Sequence, residues 1–270
     1  MLASVDGRRV HYDLLGTDDA PVVCFAHSLA SDGGMWAEQV AAALDGGFRV
    51  LRVDMRGHGG SEALPPPYSI DALAGDVAAL LEILNIERAH FVGLSVGAMI
   101  GQALAIRYDA KIASLLLCDT QPSAPANARA GWSAPLAMVR QSHSLTPVRS
   151  GMMRAWLSDA FKARRPARWA QIERTLLATS PEGFEGCVAA MTDFDVTAEL
   201  PSVRIPALVV CGAADPMTPP AENRRLAALI PGARYEEIPD ARHFATVEQP
   251  DTFNRIMTAW LNEQRTPPSP

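Results

Sequence analysis

Several familiar features are missing from this chain, and each absence narrows what it can be. Lysine is almost gone: of 24 lysine and arginine residues in 270, only Lys111 and Lys162 are lysines. The net charge is −6 and no basic run stands out, which speaks against a nucleic-acid partner. The arginine bias reads as a habit of composition, not as a binding feature. Cysteine is sparse, with Cys24, Cys118, Cys187 and Cys211 standing singly and no C-x-x-C pair. Three of the four fall in apolar runs (VVCF, LLLC, LVVC), so reduced core thiols are expected in place of disulfides or a metal site. Long apolar runs are also lacking. The opening MLASVDGRRVHYDLL carries charges where a signal peptide needs an apolar stretch, and no segment is long enough to span a bilayer. The resulting expectation is a soluble, cytoplasmic protein without a membrane partner.

What is present is a globular enzyme-sized chain, 48% hydrophobic and 20% charged, enough for one large domain or one domain with an insertion. Short β-branched runs recur: RRVHYDLL, PVVCFAH, FRVLRVD, AHFVGL, ASLLLCD, IPALVVCG and ARYEEIP. Several are continuously apolar, as suits strands buried on both faces of a parallel sheet. Helical patterns separate them, at Trp36 to Leu44, Ile70 to Leu84, Val96 to Tyr108, Ala221 to Ile230 and Pro250 to Leu261. Strand and helix in alternation predict an α/β fold with a doubly wound sheet. The rhythm stops between 121 and 203, where apolar residues recur only at helical spacing (SAPLAMVRQ, SGMMRAWLSDAF, WAQIERTLLAT). The expected organisation is therefore a core domain of residues 1–120 and 204–265, with a helical cap of residues 121–203 over its strand ends. The tail TPPSP is expected to be disordered.

The stretch HFVGLSVGAMIG places Ser95 between Gly93 and Gly97, where the run AHFVGL ends and a helix begins. G-x-S-x-G at a strand-to-helix turn is a nucleophile elbow: the turn is too tight for side chains at the flanking glycines, and it strains the serine backbone. A serine capping an ordinary helix would explain Ser95 alone. It would not explain a carboxylate and a histidine following in the order that serine hydrolases of this pattern require. Asp215 comes just after IPALVVCG, and His243 comes in the loop after ARYEEIP. All three thus lie at carboxyl ends of strands, the edge where open α/β sheets bind ligands. His243 would take the serine proton while Asp215 orients the ring. Asp119, at the end of LLLCD, is a rival for the carboxylate role, whereas Asp240 reads as a turn residue.

The oxyanion hole is expected from two backbone N–H groups, those of Val96 and Leu29, the latter in the loop after PVVCFAH. His27, Ser28, Trp132 and Met217 are placed at the substrate pocket. DMRGHGGS, residues 54–61, lacks the Gly-Lys-Ser/Thr ending of a phosphate loop and matches no dinucleotide fingerprint. It reads as a compact supporting turn, and no cofactor is expected.

Taken together, HSLAS, DMRGHGGS, GLSVGAMIGQ, CGAADPMTPP and HFATVEQPDTF resemble the α/β-hydrolase family from about Val10 to Leu261. That resemblance implies a mostly parallel eight-stranded sheet flanked by helices, with a helical cap insertion. GLSVGAMIGQALA, SLLLCDT, RAWLSDAF, GFEGCVAAMTDFD and EQPDTF are further similar to 3-oxoadipate enol-lactonases, which open an anionic enol-lactone without a cofactor. Two positions depart from that group. Its cap carries W-x-x-R-I where this chain has Trp132-Ser-Ala-Pro135-Leu136, and an arginine in A-x-R-D where this chain has Ala190-Met191-Thr192-Asp193.

The expected activity is hydrolysis of a lactone or small carboxylic ester through an acyl-enzyme, with the small-molecule substrate as partner and a homodimer compatible with the sequence. A carboxylesterase, a neutral-ring lactonase and a serine-dependent carbon–carbon bond hydrolase use the same machinery. A non-catalytic binding protein would have no need of Ser95, Asp215 and His243 together. A haloalkane dehalogenase is disfavoured because it needs an aspartate at position 95.

Overall fold

The computed structural model describes residues 1–265; the TPPSP tail lies outside the described residues. Eight strands form one sheet in the spatial order β1-β2-β4-β3-β5-β6-β7-β8. They are β1 Leu2–Val5, β2 Arg8–Leu15, β3 Val22–Ala26, β4 Arg49–Val53, β5 Ala89–Leu94, β6 Ile112–Cys118, β7 Ala207–Gly212 and β8 Arg234–Ile238. β2 runs antiparallel to both β1 and β4, and every later pairing is parallel. The continuous apolar runs have the burial expected of them: β3, β5 and β7 are buried at every position. β8, at the far edge, alternates and leaves Arg234 and Glu236 exposed.

One strand escaped the sequence reading. In β1 only Val5 is buried, so the segment carries almost no hydrophobic pattern. Its signal was the turn: Asp6 and Gly7 both take positive φ (49° and 80°), joining β1 to β2 in a two-residue hairpin of the Asp-Gly kind.

Five helices packed on the sheet follow the sequence pattern closely: α1 Ala37–Asp45, α2 Ile70–Ile83, α3 Val96–Arg107, α9 Pro220–Leu229 and α11 Pro250–Glu263; the short α10 Ala245–Glu248, after His243, was not among the sequence patterns. Between β6 and β7 come α4 Ala128–Ser142, α5 Arg149–Trp156, α6 Asp159–Arg164, α7 Pro166–Ala178 and α8 Pro181–Thr192. SGMMRAWLSDAF, expected as one helical stretch, is broken. Leu157 is extended (φ −136°, ψ 146°), and the Ser158 hydroxyl caps α6 by accepting from the Phe161 N–H. Serine is a strong N-cap, so the break follows from local chemistry.

These inserted helices are tied to the sheet's carboxyl edge at three places. The Ser180 hydroxyl, which caps α8, also donates to the Gly57 carbonyl at 3.0 Å. The buried Glu248 carboxylate accepts from the backbone N–H groups of Ser158 (2.9 Å) and Arg242 (2.8 Å) and from the Ser158 hydroxyl. Trp156 stacks on Phe244 with centroids 4.4 Å apart. The last two contacts join α5 and α6 directly to the loop that carries His243. Among the described residues, no helix is long and apolar enough to cross a membrane.

Candidate active site

Ser95 stands between β5 and α3 with φ 58° and ψ −118°, a conformation costly for any residue but glycine. The neighbouring glycines permit it. A Cβ on Gly93 would overlap the Gly97 carbonyl and approach the Ala98 nitrogen at 2.7 Å, and one on Gly97 would overlap the Ala26 carbonyl and come within 2.7 Å of that of His27. The elbow is therefore pressed against both α3 and the end of β3. Its backbone is pinned from β6 as well: the Ser95 N–H donates to the Cys118 carbonyl at 2.9 Å, and the Thr120 hydroxyl donates to the Ser95 carbonyl at 3.1 Å.

Asp215 and His243 meet although 28 residues apart. His243 Nδ1 lies 2.9 Å from Asp215 Oδ2, and both side chains are buried. The other carboxylate contacts come from its own turn. Oδ1 accepts from the N–H groups of Met217 (2.8 Å) and Thr218 (3.2 Å), and Oδ2 accepts from the Thr218 hydroxyl at 2.7 Å. Burial pushes this carboxyl up, but the His243 imidazole, the Thr218 hydroxyl and the Met217 N–H outweigh it and hold it below the usual carboxylate range. An ionised Asp215 fixes the proton of the ring on Nδ1. That leaves Nε2 as a bare acceptor, without a partner among the described residues.

Asp119, the rival carboxylate, is wholly buried, with Oδ1 accepting from the Gly212 N–H at 2.7 Å and Oδ2 unpartnered. Burial, and then the nearby Asp215 charge, push its carboxyl well above the usual range. It stands behind the pair, and the imidazole bond goes to Asp215. Asp119, Cys211 and Asp215 have ligand atoms within 4.8 Å of one another. Burial pushes the Cys211 thiol up, so this trio offers no ready thiolate to a metal ion.

A cavity of about 380 Å³ opens onto Ser95 and His243. Met99, Gln121, Met217 and Thr218 line it from the sheet side; Trp132, Pro135, Met191 and Thr192 line it from α4 and α8. No lysine, arginine, aspartate or glutamate lines it among the described residues. Trp132 and Met217, placed at the pocket from sequence, are there. His27 and Ser28 are not among the lining residues, and both are buried. The reason is the supporting turn. His27 Nδ1–H donates to the Ser28 carbonyl (2.8 Å) and its Nε2 accepts from the Met55 N–H (2.9 Å), so both ring nitrogens are used internally.

The same turn holds the loop that carries Leu29. His58 Nε2 accepts from the Ala30 N–H at 3.0 Å while its Nδ1–H donates to the Arg56 carbonyl at 2.9 Å. Asp54 accepts from Gly33 N–H (2.7 Å) and Gly60 N–H (2.9 Å) and pairs with His11. Burial, then the adjacent His27, push the His58 ring down to about 3, so it stays a neutral acceptor. With Ala30 engaged, the Leu29 N–H and the Val96 N–H at the start of α3 find no acceptor among the described residues. A free N–H at a helix N-terminus, such as that of Val96, favours developing negative charge.

Sequence reasoning had missed Thr218, whose hydroxyl shares the Asp215 oxygen that faces His243; an Asp-x-x-Thr turn was the available signal. It had also treated Pro135 and Thr192 only as departures from a pattern. The structure brings both to the wall of one cavity, on facing helices.

Comparison with known proteins places this arrangement. The alpha/beta hydrolase fold family matches residues 21–250, and the chain belongs to that family; it is a hydrolase. It is similar to 3-oxoadipate enol-lactonase 2 of Acinetobacter baylyi, with 34% identity over 93% of this chain and 92% of the relative. The crystal structure of an enol-lactonase from Burkholderia xenovorans superposes with a TM-score of 0.92 at 37% identity, covering 97% of this chain and 100% of the other. A thermophilic esterase from Thermogutta terrifontis is similar with a TM-score of 0.89 at 29% identity, over 96% and 95% of the two chains.

Proposed function

We propose that this chain opens an uncharged lactone or small carboxylic ester through an acyl-enzyme on Ser95, by chemistry like that of the enol-lactonases it resembles. The Ser95 hydroxyl oxygen attacks the carbonyl carbon as its proton passes to Nε2 of His243. The Leu29 and Val96 N–H groups donate to the oxyanion of the tetrahedral intermediate. As the carbonyl re-forms, the carbon–oxygen bond to the leaving alkoxide breaks and His243 returns the proton to it. Water then attacks the acyl-enzyme, giving its proton to the same nitrogen, and the serine departs with that proton restored. Asp215 stays ionised throughout and stabilises the imidazolium. Residues 121–203 act as a cap that keeps bulk water from the acyl group.

The uncharged part of the reading rests on one observation: the cavity wall has Pro135 and Thr192 at the two positions where the similar enol-lactonase pattern has arginine, and no lysine or arginine lines it among the described residues. A free carboxylate would be desolvated there without a lysine or arginine to pair with. The competing reading, an anionic enol-lactone as substrate, is favoured by overall sequence similarity. A hydrolysis panel separates the two. Neutral lactones and nitrophenyl esters should give kcat/KM at least tenfold above the enol-lactone, and the reverse order would overturn the neutral-substrate reading.

A further inference from the structure

A second cavity, of about 280 Å³, lies between α4 and α8. It adjoins the first, for Trp132 and Thr192 line both. The helical repeat explains the arrangement. Leu136 is one turn beyond Trp132 on α4, and Val188 and Ala189 are one turn before Thr192 on α8. All three line the second cavity, whereas Pro135 and Met191 face the first. Trp132, which borders both cavities, packs edge-on against the buried Phe184, centroids 5.9 Å apart and planes at 75°.

The second chamber is apolar in its body, through Pro66, Pro67, Leu136, Val188 and Ala189. Its charged residues are at the rim and already matched. Arg140 donates to Glu185, with Nε to Oε2 at 3.0 Å, and Arg129 pairs with Asp193. The paired rim offers no spare cation to a carboxylated tail, and an aliphatic chain needs none. A chain of this kind, attached at the carbonyl held by Ser95, would leave the reaction cavity past Trp132.

We infer that the groove between α4 and α8 is an acyl-chain subsite continuous with the reaction cavity, so that the substrate is an ester or lactone bearing an uncharged aliphatic chain. This rests on the proposed hydrolysis at Ser95 and adds to it where the rest of the substrate goes. Apolar burial along the chain is non-directional, so affinity should rise with length until the chamber is filled.

The test is kcat/KM of the full-length protein for p-nitrophenyl esters from acetyl to decanoyl, in wild type and two variants. Wild type should favour octanoyl over acetyl at least tenfold. Ala189→Phe, which fills only the second chamber from a partly buried position, should lower the octanoyl-to-acetyl ratio at least tenfold. Trp132→Ala, which widens the passage where the two cavities meet, should shift the optimum towards decanoyl. If Ala189→Phe does not fold, the Trp132 variant and the wild-type length profile still decide the matter. A flat length profile, or ratios unmoved by both substitutions, overturns the subsite while leaving hydrolysis intact. Absence of turnover on every ester, acetyl included, instead defeats the hydrolytic reading on which it stands.

Discussion

His243 Nδ1 lies 2.9 Å from Asp215 Oδ2, and that single contact decides which ring nitrogen is free to face the cavity. The carboxylate is held below its usual range by the imidazole and by donors from its own turn despite burial. It is therefore charged whenever the enzyme would be working. Replacing it by the isosteric amide keeps the shape but allows the wrong tautomer. Asp215→Asn should lower kcat by about 10⁴, measured on a nitrophenyl ester.

Asp119 provides the contrast. Its carboxyl is pushed well above the usual range by burial and by Asp215, so an amide changes little in charge. Asp119→Asn should cost less than about tenfold in kcat, because Oδ1 still accepts from the Gly212 N–H. A loss matching that of Asp215→Asn would show that the wrong carboxylate has been chosen.

The missing cations can be put back. Pro135→Arg places a guanidinium in the cavity wall and also returns a backbone N–H to the interior of α4, where proline is unfavourable. The ratio of kcat/KM for a carboxylate-bearing ester over its neutral counterpart should rise about tenfold, the scale of one charge-assisted hydrogen bond. The melting temperature should not fall. An unchanged ratio would mean that substrate does not reach α4.

Gly97 should tolerate no side chain. A Cβ there would overlap the Ala26 carbonyl, and backbone on both sides of the contact is fixed. Gly97→Ala should destabilise the fold by about 1–3 kcal/mol, read by denaturant unfolding, and should lower kcat as the elbow shifts.

Stability should fall with acid before Asp54 and Asp215 take up protons. Burial, followed by His27, pushes His58 down to about 3, and burial, followed by Arg88, pushes His90 down to about 4. In the unfolded chain each takes up a proton near pH 6.5, so between that value and the folded one the unfolded state binds more protons and folding weakens as pH drops. The expected loss from pH 7 to pH 5 is about 2 kcal/mol for each ring. Below about pH 4, Asp54 and Asp215, both held low in the folded state, add their own loss. Asp119, raised by burial, works in the opposite direction, so the comparison is made in Asp119→Asn: equal stability of that variant by urea unfolding at pH 7 and pH 5 would contradict the buried, neutral assignment of these histidines.

How much of this was legible follows from which residues leave a local trace. Strands buried on both faces announce themselves as unbroken apolar runs, and so β3, β5, β6 and β7 could be read directly. The Ser95 elbow was readable because its glycines are demanded by backbone packing within a few residues. β1 was invisible to hydrophobic pattern since it buries only Val5. His27 was drawn towards the pocket by proximity to Leu29. Its actual orientation depends on the Met55 N–H, a contact 28 residues away that no local pattern encodes. The same holds for the choice between Asp119 and Asp215, both at strand ends and distinguishable only once the ring of His243 has a direction.

The most direct measurement is reaction of the protein with an alkyl fluorophosphonate, followed by peptide mass analysis and assay, in wild type and Ser95→Ala. The expected result is a single adduct on Ser95 with complete loss of ester hydrolysis in wild type, and neither label nor turnover in a folded Ser95→Ala. Hydrolysis persisting in that variant, or an adduct elsewhere accompanying inactivation, would contradict it.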